Sequence, residues 1–357
     1  MSADILTRLL GVGCIVVAIC NSAVAEEQLA AGAPLVLNHP PINKSIGNPV
    51  HCSAFLNEGA LLATGATSGV HIWDTSSGEL LQTLEVDDRS VDALTIDPRG
   101  TRLVAGGASG IIKVWDARTL KTIATLGPTP AAVRSLAISP DAKLLASASP
   151  NAPPAAADEP FGILLWDLTT NQQLRQIEQP RPTFGSTVLG FVHNGKQLIA
   201  AQDRSFRLLD VQKGTVIKTL DMPDLPRTIG CIALDSDGGR LATGVFEAKL
   251  RVWDTREWTQ SLAWNAHDEH LPPRRGVSSV SFSPDGKYLL SGGLDGLVCV
   301  WDSATGRQLL ELDGRGGSTR GWVTSVVVAP NSRLLAATHF GGTATIWRLE
   351  TDEVRLP

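Results

Sequence analysis

Cysteine is scarce in this 357-residue chain, and none of its five cysteines belongs to a Cys-x-x-Cys pair. Cys14 and Cys20 lie in a leading apolar segment, which leaves Cys52, Cys231 and Cys299, each inside a predicted strand. An odd set of thiols cannot all pair internally. Packing rather than disulfides must therefore hold the fold, and the three read as buried, inert side chains. Positive charge is also in deficit: a net charge of −5 and a pI near 5.8 argue against nucleic acid as the partner. Neither a Gly-x-Ser-x-Gly elbow nor a His-Glu-x-x-His pattern occurs, so serine-nucleophile and zincin chemistry have no carrier. His267-Asp268-Glu269-His270 groups metal-capable side chains, but a loop fragment with two histidines falls short of the three or four converging ligands a metal needs. It reads as a solvated polar loop. Residues 190–196 imitate a phosphate loop, yet Gln197 stands where a hydroxyl should follow, and no helix pattern continues it. No catalytic residue, metal or cofactor is expected.

The first 25 residues read as an export signal. Arg8 gives a weakly positive start, residues 9–20 are almost wholly apolar, and Ala23-Val24-Ala25 precedes Glu26-Glu27 as a small-x-small cleavage pattern. An uncleaved anchor is the alternative, but the stretch is short for a span and no basic stop-transfer cluster follows it. The expected product is periplasmic or extracellular, with no membrane attachment once the signal is cleaved.

What the chain does have is recurrence. Seven hydrophobic runs end alike, at Trp73-Asp74, Trp115-Asp116, Trp166-Asp167, Leu209-Asp210, Trp253-Asp254, Trp301-Asp302 and Trp347-Arg348. Their spacings of 42, 51, 43, 44, 48 and 46 residues are those of a repeat architecture. A unit of that length cannot bury both of its faces alone, so neighbours must stack. The clearest unit runs through 277–282, the turn Ser283-Pro284-Asp285-Gly286-Lys287, then 288–293, Leu294-Asp295-Gly296, 297–302 and 308–312. Pro284 presets φ for a turn, and Asp285 and Gly286 favour the conformations that close a hairpin. Four antiparallel strands per repeat result. The inner strands are almost continuously apolar, so both sheet faces are covered, as radially stacked blades would cover them. The recurring indole then fills the wedge between blades.

These features resemble the WD-repeat β-propellers over about residues 34–349. The resemblance implies an all-β fold, a seven-bladed propeller of four-stranded antiparallel blades. It also implies a buried hydrogen-bond network joining a strand-two Ser or Thr, an Asp in the second-to-third turn and the strand-three Trp. Ser291, Asp295 and Trp301 match this well, Thr243, Glu247 and Trp253 loosely, and Asp203 takes the Asp position of the degenerate fourth repeat. The family's Gly-His dipeptide is poorly kept, with Asn38-His39 and Ala266-His267 as weak echoes. Blade packing, with Trp73, Trp115, Trp166 and Trp347 beside the other indoles, is therefore expected to supply most of the rigidity. Six fourth strands lie between the markers, whereas seven blades need seven. Either residues 35–37 or residues 353–356 could supply the last, and the front strand is preferred because it ties both ends together and removes a free edge. The expected organisation is a signal peptide at 1–25, a linker at 26–33, the propeller at 34–349 and a tail at 350–357.

In an up-and-down blade the second-to-third turn and the link to the next blade share one side of the disc. All the length variation falls there: residues 150–161, 178–185, 265–276 and 313–321. Loops elaborated on one face suggest binding, with neutral drift as the competing reading. The first residues of strand one, His51, Asp92, Arg134, Thr187, Gly230, Ser278 and Thr324, open on the same side. Phe246, Leu294 and Phe340 precede the Asp-equivalent positions of blades five to seven, with Arg274, Arg275, Arg315 and Arg320 as a rim. Aromatic and Arg enrichment is the composition of interface hot spots, although Phe246 and Phe340 could equally plug the channel mouth. A monomeric, non-catalytic scaffold for a protein or peptide is the expected function. The alternative is an exported propeller enzyme, a quinoprotein-type dehydrogenase or a lactonase or other hydrolase. Asp302-Ser303-Ala304-Thr305-Gly306 resembles the Asp-x-x-Thr-Gly element of quinoprotein repeats, but here the tryptophan precedes that turn instead of following it.

Overall fold

The computed structural model describes residues 29–41, 48–86, 90–149, 162–179, 187–222, 228–245, 248–267, 276–314 and 321–351. Seven antiparallel sheets follow one another along them, six of four strands and one of five. The strand that comes first in each repeat lies innermost: Val50–Leu56, Val91–Ile96, Ser135–Ile138, Val188–Val192, Ile229–Leu234, Val277–Phe282 and Val323–Val328. Each of these packs beside the next, and the seventh packs beside the first, so the ring is closed. Among the described residues the one helical segment is the turn Asn57–Gly59.

The hydrophobic core is divided into seven clusters, and each lies between two adjacent blades. Every marker residue packs towards the blade before its own. Trp115 joins Cys52 and Ile72, Trp301 joins Leu250 and Val252, and Trp73 joins Ala336 and Ile346 across the seam between last and first blades. Leu209 fills the same place in the fourth blade, against Ile163 and Leu165, so the degenerate repeat keeps the geometry with a smaller side chain. A buried indole of this kind is worth ~3–5 kcal/mol against alanine. Close approach is obtained with glycine in strand two: a Cβ on Gly65 would stand 2.7 Å from Val91 Cγ1, and one on Gly292 would stand 2.3 Å from Val323 Cγ1.

The aspartate after each indole closes the third-to-fourth turn. Asp74 Oδ1 accepts the N–H groups of Ser76 and Ser77 at 2.8 and 2.9 Å, and Asp302 Oδ1 accepts those of Ala304 and Thr305 at 3.0 and 2.8 Å. Hydrogen bonds from Ser76 and Ser77 hold the Asp74 carboxyl down at about 2. The seventh marker has Arg348 instead, for a structural reason. Its strand, Thr343–Thr351, runs straight on and has no such turn to close, because the N-terminus supplies the outer strand. Leu35–Asn38 pairs with Thr343–Ile346, as preferred from the sequence. Leu29–Ala31, inside the segment expected to be linker, pairs with 349–351, and Glu350 and Thr351 extend the blade beyond the expected boundary at 349. The closing strand is thus interrupted rather than continuous.

Candidate functional site

The innermost strands begin on the face that carries the long loops. In five blades the pairing slips there by one residue, at His51, Asp92, Gly230, Ser278 and Thr324. Such a bulge takes its residue out of the ladder and re-aims the side chain. The hydroxyls among these residues serve the ring. Ser278 Oγ donates to the Val323 carbonyl at 2.6 Å, and Thr324 Oγ1 donates to the Val50 carbonyl at 2.7 Å, each reaching the next blade. Thr187 is buried and bonded to Gln202 at 3.2 Å. These three positions stabilise the scaffold and do not form a contact surface.

The remaining charged and aromatic positions form an arc across four consecutive blades. In the seventh blade Phe340 stacks on Trp322, with centroids 5.3 Å apart and planes inclined by 30°. The Phe340 N–H also bonds to the Trp322 carbonyl at 3.0 Å. His51 in the first blade meets Phe340 edge-on, 6.3 Å between centroids. In the second blade Asp92 accepts the Ser90 hydroxyl at 3.0 Å and lies 3.3 Å from Arg134 Nη1 of the third. The Asp92 side chain is only 3% exposed, whereas that of Arg134 is 45% exposed, so the arc shows solvent a cation and hides its anion. Burial lowers the His51 pKa, Asp92 opposes the change and Arg134 adds to it; the imidazole ends below its ordinary value and is neutral at pH 7.

Of the residues expected on this face, His51 meets Phe340, and Arg134 pairs with Asp92. Leu294 is half-buried in the sixth blade and tied by its N–H to the Gly276 carbonyl at 3.1 Å. Phe246, Arg274, Arg275, Arg315 and Arg320 lie outside the described residues, as do Glu247 and the loop 150–161. Sequence reasoning missed Trp322, which precedes strand one in a link where no repeat marker points to it. The one available signal was an indole out of phase with the six markers, a property it shares with Trp258 and Trp264.

Beneath this face lies the polar network of the blades, and here the weak echoes prove stronger than expected. His267 is buried and is no part of a solvated loop. Its Nδ1 donates to Asp295 Oδ2 at 2.9 Å, its Nε2 lies 2.9 Å from Ser291 Oγ, and Trp301 Nε1 donates to the same Oγ at 2.9 Å. His39 does the same work in the first blade with Thr64 at 2.7 Å, and Thr64 Oγ1 accepts from Trp73 at 2.9 Å. Trp166 reaches Ser147 at 3.0 Å and Trp253 reaches Thr243 at 3.2 Å. The sequence therefore understated the polar share of the rigidity.

Among the described residues no three or more His, Cys, Asp or Glu side chains gather where a metal could be held. Cys52, Cys231 and Cys299 are free and buried, as expected. Burial pushes the Cys52 thiol far up, and pushes those of Cys231 and Cys299 up to about 12, which suppresses thiolate chemistry.

Three segments, residues 78–116, 120–151 and 261–302, match the model of the WD domain, G-beta repeat. Over 302 residues the chain is 24% identical to Protein tipD of Dictyostelium discoideum, which covers 72% of this chain and 40% of that protein. WD repeat-containing protein VIP3 of Arabidopsis thaliana is 28% identical over 190 residues, 49% of this chain and 59% of its own. The Periodic tryptophan protein 2 homolog of Schizosaccharomyces pombe is 30% identical over 124 residues, 34% of this chain and 14% of its own. The chain spans less than two thirds of each of these relatives, all of them eukaryotic. The matched segments and the seven blades together support the WD40 repeat family.

Proposed function

We propose that this WD-repeat propeller is a non-catalytic platform that binds a protein or peptide through the face bearing the long loops. The observation that carries the reading is the arc at the channel mouth: Trp322, Phe340, His51 and the Asp92–Arg134 pair, delivered by four blades to one place. Aromatic rings beside an arginine are the composition of interface hot spots, and a rigid ring spares the entropy cost of ordering such a site on binding. Similarity to WD40-repeat proteins supports the same reading.

Affinity capture tests it. The purified protein and a Trp322→Ala/Phe340→Ala variant, each of unchanged thermal midpoint, are used as bait in extract from the source cells. Proteins retained by the wild type and lost by the variant are the expected result; identical retention removes this face from the reading.

Under the same proposal the chain is exported and works as a monomer. N-terminal sequencing of protein from the native host then starts at Glu26, and sedimentation gives the mass of one propeller. A retained Met1 or a dimer mass overturns the corresponding part.

A further inference from the structure

Rings and charge lie on consecutive blades at the mouth of the channel. Blades seven, one, two and three contribute Trp322, Phe340, His51 and the Asp92–Arg134 pair, four neighbours in a row. These rings and this charge give an incoming segment something to bind. The exposures set the sign of that charge. The Asp92 side chain is 3% exposed and lies 3.3 Å from the guanidinium as an ion-pair partner, while that of Arg134, at 45%, stands open to solvent. A guanidinium drawn to one side by a buried carboxylate leaves its planar fork free to accept a second carboxylate from solvent.

The aromatic pair and the arginine lie on blades seven and three, with two blades between them. One residue cannot touch both. An extended chain rising about 3.3 Å per residue reaches both only with residues some positions apart. Neutral His51 lies between, half-buried, with an edge towards Phe340.

We infer that the arc recognises an extended protein segment in which an Asp or Glu side chain lies a few residues from an aromatic or long aliphatic one. The acidic group pairs with Arg134 and the apolar group rests on Phe340 and Trp322. This deepens the platform reading and rests on it.

The test is selection of random dodecapeptides displayed on phage, fused at their C-termini so that no terminal carboxylate is offered, on the purified full chain. The expected outcome is enrichment of Asp or Glu at a fixed spacing from Phe, Trp, Leu or Ile. An enriched peptide, synthesised with amidated C-terminus and fluorescein label, is then titrated by anisotropy. Arg134→Gln weakens it by about tenfold or more, in keeping with a charged hydrogen bond. That variant strands Asp92, so Asp92→Asn/Arg134→Gln is measured as well and gives the same loss without a buried unpaired charge. Arg134→Lys, which keeps a cation beside Asp92, falls in between, and Phe340→Ala removes the apolar preference while sparing the acidic one. Enriched peptides that lack acidic residues, or unchanged affinity in the double variant, overturn this inference and leave the platform reading intact. No enrichment on the wild type overturns both.

Discussion

His39 and His71 meet edge-on inside the first blade, ring centroids 5.0 Å apart and planes at 73°. His39 follows the closing strand, and its N–H holds the Gly342 carbonyl of the last blade at 3.0 Å. Where His267 has Asp295 on its Nδ1, His39 has no partner there, and the Nδ1 of His71 and Nε2 of His339 are equally unpartnered. Burial, then the nearness of His71, brings His39 down to about 3, while burial brings His71 and His339 to about 4.

A pH dependence follows from the sign of these shifts. Each ring takes up a proton near 6.5 when unfolded but only near 3 to 4 when folded, so the unfolded chain binds more protons between those values. Stability is full above 6.5 and is lost as the pH falls towards 4. Asp74, held at about 2, contributes its own loss lower down, between its ordinary value and 2. Urea titrations at pH 7.0, 6.0, 5.0 and 4.5 should show the decline, made shallower by His71→Gln. A flat profile above pH 4.5 would count against it.

The sixth blade offers a sharper test of the polar network. Ser291 Oγ serves both Trp301 Nε1 and His267 Nε2, whereas Ser147 Oγ serves Trp166 Nε1. Ser291→Ala leaves two buried ring nitrogens without their bond, and Ser147→Ala leaves one. Chemical denaturation should give a loss of ~1–3 kcal/mol for Ser291→Ala and a smaller one for Ser147→Ala. Equal losses would mean that His267 does not depend on Ser291.

Much of this architecture was legible because the repeat writes one physical demand seven times: fill the wedge, then turn. Even Leu209, without its indole, could be placed by spacing and takes up the predicted position. His39 and His267 were undervalued because the familiar dipeptide was read as a unit. Only the imidazole makes the hydrogen bonds, so Asn38 and Ala266 could replace glycine without breaking the network. The bulges at His51 and Asp92 were hidden for another reason. A strand's period of two carries no mark of a one-residue slip. Trp322 belongs to no repeat pattern, and its place beside Phe340 depends on how the link from the sixth blade enters the seventh.

Tight packing between blades predicts intolerance to a single methyl group. An alanine Cβ at Gly292 would meet Val323 Cγ1 at 2.3 Å and Val326 Cγ1 at 2.9 Å. Gly292→Ala should cost ~1–3 kcal/mol by overpacking. Val323→Ala alone should also destabilise, since it empties part of the cluster between blades six and seven. Combined, the two should lose less than the sum, because each vacates or fills the same space. Strict additivity in a double-mutant cycle would show that the side chains do not meet.

Ring closure can be separated from mere strand addition by comparing two neighbours on the closing strand. Leu37 is 1% exposed and packs with Phe55, Trp73 and Ile346 at the seam, while Val36 on the opposite face is 37% exposed. Leu37→Ala should cost ~2–5 kcal/mol, the range for a buried leucine that leaves a cavity. Val36→Ala should stay within about 0.5 kcal/mol, as surface changes do. The seam joins segments more than three hundred residues apart, so its loss should also raise the unfolding rate rather than only shift the midpoint. Stopped-flow unfolding of both variants distinguishes the cases: a faster rate for Leu37→Ala alone marks the strand as the latch, and equal small losses at both positions would show that the ring holds without it.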